Sequence, residues 1–169
     1  MKKLTALKLT LAAAPLVFLL TVGLCWLTGA VAEAFGLHLP EQPSLDLVRN
    51  ARGWELVGWI AATVVGAPVA EELIFRGLAF RLPLHLAGRR GRGRIATAAV
   101  AVVSSALFTA AHYLQMPFPN NAFVALFFLG LCQCALYRAT GRLWSPMLNH
   151  ALFNLTNIVL LFAAPGLTQ

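Results

Sequence analysis

Five stretches of nearly uninterrupted apolar residues recur along the chain: Leu9 to Ala32, Trp54 to Leu86, Ile95 to Leu114, Ala122 to Tyr137 and Leu143 to Ala164. A helix needs about 20 such residues to cross the hydrocarbon core of a bilayer, and most of the runs come near that length. They lack the alternation, about ten residues long, of a membrane β-strand. The expectation is an all-α fold, a polytopic membrane helical bundle of about five transmembrane helices. Charge agrees with it, since 11% of the residues are charged against about a quarter in soluble domains.

The few charges are placed unevenly. Lys2, Lys3 and Lys8 precede the first run, Arg89, Arg90, Arg92 and Arg94 lie between the second and third, and Arg138 and Arg142 between the fourth and fifth. The alternate segments, 38 to 52, 115 to 121 and 165 to 169, hold only two basic residues, Arg49 and Arg52. The positive-inside rule then places the N-terminus in the cytoplasm and the C-terminus outside. The Gly-Arg run at 88 to 94 reads as a topological loop, so no nucleic-acid partner is expected. Lys2, Lys3, the first apolar run and Ala30-Val31-Ala32 also have the form of a signal peptide, but the run is longer than a usual signal core. Residues 1–35 are therefore taken as a transmembrane helix, 36–53 as an external loop with a short interfacial helix, and 54–164 as a helical core. Cys25, Cys132 and Cys134 have no ligand spacing and read as inert, small buried residues.

The second run is the awkward one. As one straight helix, Trp54 to Leu86 would be about 50 Å long, well beyond the roughly 30 Å of hydrocarbon. Gly66-Ala67-Pro68 is the expected break, with Glu71 and Glu72 opening a new segment beyond it. Ser145-Pro146 reads as the start of the last helix, serine as N-cap and proline at the first helical position.

Ionised side chains at the bilayer centre cost about 2.5–3.5 kcal/mol even on the lenient insertion scale, so those that occur there usually have a task. Glu72 and Arg76 are four apart and share a helix face, which predicts an ion pair. Glu71 is turned about 100° away and is left free to act as a base. Phe108 and His112 are four apart, as are His150 and Asn154, so each pair presents two side chains in one direction. Any one of these residues alone is more simply a hydrogen-bonding contact between helices. Together they offer a carboxylate, two imidazoles and an amide beyond the ion pair. His85 reads as an interface residue and His38 as a loop residue.

Glu71-Glu72-Leu73-Ile74-Phe75-Arg76 fits E-E-x-x-x-R, Phe108 to His112 fits F-x-x-x-H, and His150 to Asn154 fits H-x-x-x-N. In this order, over residues 54 to 160, the chain resembles the CPBP family, the CAAX protease and bacteriocin-processing group. The resemblance implies a glutamic-type intramembrane endopeptidase acting on a membrane-associated protein substrate. Glu71 and His112 would activate water, His150 and Asn154 would face the oxyanion, and Glu72, Arg76 and Phe108 would brace the site. No cofactor is implied. H-E-x-x-H is absent, and the Glu72–Arg76 pairing leaves few carboxylates for zinc, so no metal is expected. The small size is similar to that of sorting-type members, myxosortase-like proteases of a prokaryotic inner membrane. Two rival readings are a non-enzymatic immunity or scaffold protein and a small proton-coupled transporter with Glu71 in its relay. Counted from the basic ends of their helices at about 1.5 Å per residue, Glu71 and His112 lie roughly 24 Å up and Asn154 about 18 Å, a mismatch in depth.

Overall fold

Where water is absent every backbone N–H and C=O needs a partner inside its own segment, so apolar runs of this length become helices. The computed structural model describes residues 3–37, 43–88, 93–114 and 122–163. Its helices are α1 (Lys3–Ala34), α2 (Pro43–Asn50), α3 (Gly53–Leu86), α4 (Arg94–Tyr113), α5 (Ala122–Thr140) and α6 (Trp144–Ala163). The described residues contain no strand, and all helices but α2 are long and apolar enough to span a membrane. His38 and the Pro117-Phe118-Pro119 end of the third run lie outside the described residues.

The distribution of side chains is that of a protein dissolved in lipid. Leu19, Leu78, Ile95 and Val103 are exposed, while Glu72, Arg76, Ser104, Gln133 and Asn149 are buried. α4 packs along α5, and α1 along both α5 and α6. The α4–α5 crossing is close because Gly130 has no side chain: a Cβ there would lie 2.9 Å from the Ser105 Cβ. α1 turns one stripe inward, Ala6, Thr10, Val17 and Thr21. Thr10 donates to the Ala6 carbonyl, 2.8 Å away, and so accepts from the hydroxyl of Ser145. Ser145 thus lies within the first turn of α6, one residue past its start, and its side chain ties α1 down instead of capping the helix.

α3 does not break at Gly66-Ala67-Pro68. It runs through all 34 residues, and its length is accommodated by two stretches of wider turn, Ala62–Gly66 and Leu73–Arg81. There the backbone bonds i to i−5: Ala67 N–H donates to the Ala62 carbonyl, and Leu82 N–H to that of Gly77. Such wide turns are uncommon and cluster at functional sites. The first absorbs Pro68, whose ring would otherwise clash with the turn before it. Its cost is one carbonyl. Thr63 loses the donor five residues on because that residue is Pro68, and Asn154 Nδ2 of α6 donates in its place at 2.8 Å. In the second stretch the Phe75 carbonyl accepts from Ser104 Oγ of α4 at 2.7 Å.

Candidate active site

Glu71 and Glu72 sit between the two widened stretches and diverge as their spacing predicts. Glu72 is fully buried with Arg76, one turn on, and the pair meets at 3.0 Å. Arg76 Nη2 also donates to the Gly130 carbonyl of α5 at 3.2 Å, and its guanidinium lies 4.7 Å from the centre of the Phe108 ring. Arg76 therefore joins three helices through an ion pair, a hydrogen bond and a cation–π contact. Phe108 is fully buried, with its ring edge-on to Phe75 and His150. It forms the apolar floor beneath both histidines.

Glu71 points to an adjacent side of α3, where it is partly open, its side chain 24% exposed. His112 Nε2 from α4 stands 3.9 Å from Glu71 Oε1, and His150 Nε2 from α6 stands 3.8 Å from Oε2. Both separations exceed a direct hydrogen bond and suit a small polar molecule held between the groups. The far nitrogens are fixed. His112 Nδ1 lies 2.9 Å from the Phe108 carbonyl, which only accepts, so this nitrogen carries the proton. His150 Nδ1 lies 3.0 Å from Glu72 Oε1, a carboxylate already paired with Arg76, and likewise donates. With Nδ1 so engaged, each imidazole turns its Nε2 toward the Glu71 carboxylate.

Asn154 departs from its expected place. It lies one turn past His150 on α6, and its amide reaches Thr63, eight residues before Glu71 on the antiparallel α3. It is thus farther from the arginine-rich ends than Glu71, the reverse of the depth estimated by counting. The count took the helix ends as level, whereas α3 extends well past the start of α6. The observed contact gives Asn154 a structural duty, and restoring an N–H at 68 can test it. Asn154→Ala is expected to destabilise the purified protein by about 1–2 kcal/mol in thermal unfolding. Pro68→Ala in that background should recover much of the loss, and no recovery would mean that the Thr63 carbonyl is not what Asn154 serves.

Sequence reasoning missed several residues that hold the site in place. Gln133 Nε2 of α5 donates to the Asn149 Oδ1 of α6 at 3.0 Å, both buried, beside His150 in the chain. A polar amide inside an apolar run is the signal that marks Gln133. Ser104, Thr63 and Gly130 act through backbone carbonyls or close approach, for which a single sequence holds no sign. Among the described residues no set of three or more His, Cys, Asp or Glu side chains is arranged to hold a metal ion.

Fold and centre together define a multi-pass membrane protein with a partly open carboxylate–imidazole cluster inside its bundle. Residues 53–156 match the family model described as Rce1-like: Type II CAAX prenyl endopeptidase Rce1-like. The chain belongs to that family, one of CAAX-protease-type intramembrane endopeptidases, in accord with the CPBP resemblance of its motifs. The match begins at the first residue of α3 and ends two residues past Asn154, leaving α1 and α2 outside it. No curated protein and no solved structure matches the chain.

Proposed function

We propose that the chain is a glutamic-type intramembrane endopeptidase in which Glu71 and His112 activate water for attack on a peptide bond. The observation that carries this reading is the meeting of the Glu71 carboxylate with the Nε2 atoms of His112 and His150, each from a different helix. A water seated there gives its two protons to Glu71 Oε1 and His112 Nε2 and turns a lone pair outward to a scissile carbonyl. Charge bookkeeping points the same way. Glu71, Glu72 and Arg76 sum to −1, so in a low dielectric the cluster is neutral when it holds one further proton. With that proton resident on His150, Glu71 stays ionised, and during attack it takes one of the water's own protons and passes it to the leaving amine, with no covalent enzyme intermediate.

His150 takes the oxyanion. Doubly protonated, it keeps Nδ1–H on Glu72 and offers Nε2–H to the developing charge, with Glu72 as its counter-ion. Asn154 has a second amide N–H beyond the one given to Thr63, and that proton is its means of joining His150. Arg76 and Phe108 touch no reacting atom and hold Glu72 and the rings in place. At about 1.5 Å per residue Glu71 lies about 23 Å from the Leu86 end of α3, while His150 beside it lies about 9 Å from the start of α6, so both the anchor of an exported protein, the substrate of a sorting-type protease of a prokaryotic inner membrane, and a cytosolic prenylated tail are candidate substrates.

The test is a panel of membrane-anchored peptides, prenylated tails and C-terminal anchors included, incubated with the protein in liposomes and read by mass spectrometry for new termini. One defined cut is expected, absent with His112→Ala. Proton-coupled flux without cleavage, or no cut by the folded protein across the panel, would count for the transport or scaffold reading instead.

A further inference from the structure

No Asp or Glu follows Glu72 in the sequence, although eight arginines do. Arg76 has Glu72. Of the others, Arg94 and Arg138 frame a built groove. It lies between the start of α4 and the end of α5, has a volume of about 350 Å³, and is bounded by Arg94 and Arg138 with Phe80, Ala98, Ala101 and Ala135 along its length. That volume falls at the lower end of the roughly 300–1,000 Å³ of small-molecule sites. The alanines keep the walls low: a larger residue at 98, 101 or 135 would fill the space.

Arg138 has an ordinary explanation, since a cation in the last turn of a helix complements the carbonyl end of its dipole. Arg94 has none. It is the first residue of α4, where the dipole is positive, with no acidic residue in the first turn and no side-chain cap. A guanidinium at that end, facing a second one across an apolar groove, is repelled by both and, among the described residues, matched by no acidic group. An anion carrying an apolar tail satisfies every part of the site at once: its charge between the arginines and the helix start, its tail along the alanines.

We infer that the α4–α5 groove binds one anionic phospholipid, its phosphate between Arg94 and Arg138 and an acyl chain against Phe80, Ala98, Ala101 and Ala135. The site is separate from the glutamate–histidine cluster and does not depend on the reading of that cluster. The lipid acts as a wedge between α4, which carries Phe108 and His112, and α5, which receives Arg76 at Gly130.

The test adds phosphatidylglycerol or phosphatidylcholine of equal chain length to the purified full chain in detergent and counts retained lipid by native mass spectrometry. Wild type is expected to retain phosphatidylglycerol preferentially. Arg94→Gln with Arg138→Gln should weaken that retention about 30-fold, from about 1 kcal/mol for each arginine. Ala101→Phe leaves every charge in place and should also lower retention by blocking the tail. Arg89→Gln with Arg90→Gln and Arg92→Gln removes more charge from the adjoining loop and should leave the preference intact. Equal retention of both lipids by wild type, an unchanged preference in the Arg94/Arg138 variant, or loss in the loop variant alone would each overturn the assignment.

Discussion

Glu71→Gln is expected to lower kcat for peptide cleavage by about 10²–10⁴-fold, the range contributed by a positioned general base, while the folded bundle persists. The substitution keeps shape and volume and removes only the capacity to take a proton. The amide it introduces keeps a polar side chain facing the Nε2 atoms of His112 and His150, so the meeting of the three helices is retained. Thermal stability should therefore hold as activity falls, a divergence that a purely structural glutamate would not produce. A Glu71→Gln protein that cuts the same peptide at the wild-type rate would remove the base from the mechanism. One that loses activity and unfolds together would assign Glu71 to packing.

Arg76→Ala is expected to be the most destabilising single change in the bundle, by about 3–5 kcal/mol, read by chemical or thermal unfolding in detergent. It strands the fully buried Glu72 carboxylate, removes the α5 contact at Gly130 and opens space over Phe108. Most of the cost is the uncompensated charge. Glu72→Gln combined with Arg76→Met should accordingly lie much closer to wild type in stability, since neither a naked charge nor a cavity remains. The double variant still lacks the anion behind His150 and should stay inactive, which separates the fold's use of the pair from the chemistry's.

Much of this arrangement was legible in the sequence because lipid penalises polar groups so heavily. The apolar runs mark the spans, the four-residue spacing of Glu72 and Arg76 gives their pairing, and the step from Glu72 to Glu71 gives the divergence of the two carboxylates. What the sequence concealed depends on backbone register. The Gly66-Ala67-Pro68 segment has the composition of a break, yet a widened turn carries α3 through it, and whether a carbonyl orphaned by proline finds a donor depends on a residue 91 positions on. The depth of Asn154 was misjudged for a related reason, since counting residues cannot tell how far one helix overhangs another. Gln133 and Asn149 show a further limit of pattern: their hydrogen bond spans two helices and leaves no spacing to read.

The placement of Glu72 and Arg76 one turn apart bears on how the chain enters the membrane at all. A carboxylate and a guanidinium on the same helix can neutralise each other as soon as that helix winds, before any neighbour has arrived. α3 can thus be handed to the lipid as a nearly uncharged rod, and the partners that later surround the pair, α4 with Phe108 and α5 with the Gly130 carbonyl, assemble around a couple already made. Were the same two charges on separate helices, each would have to cross the insertion machinery alone.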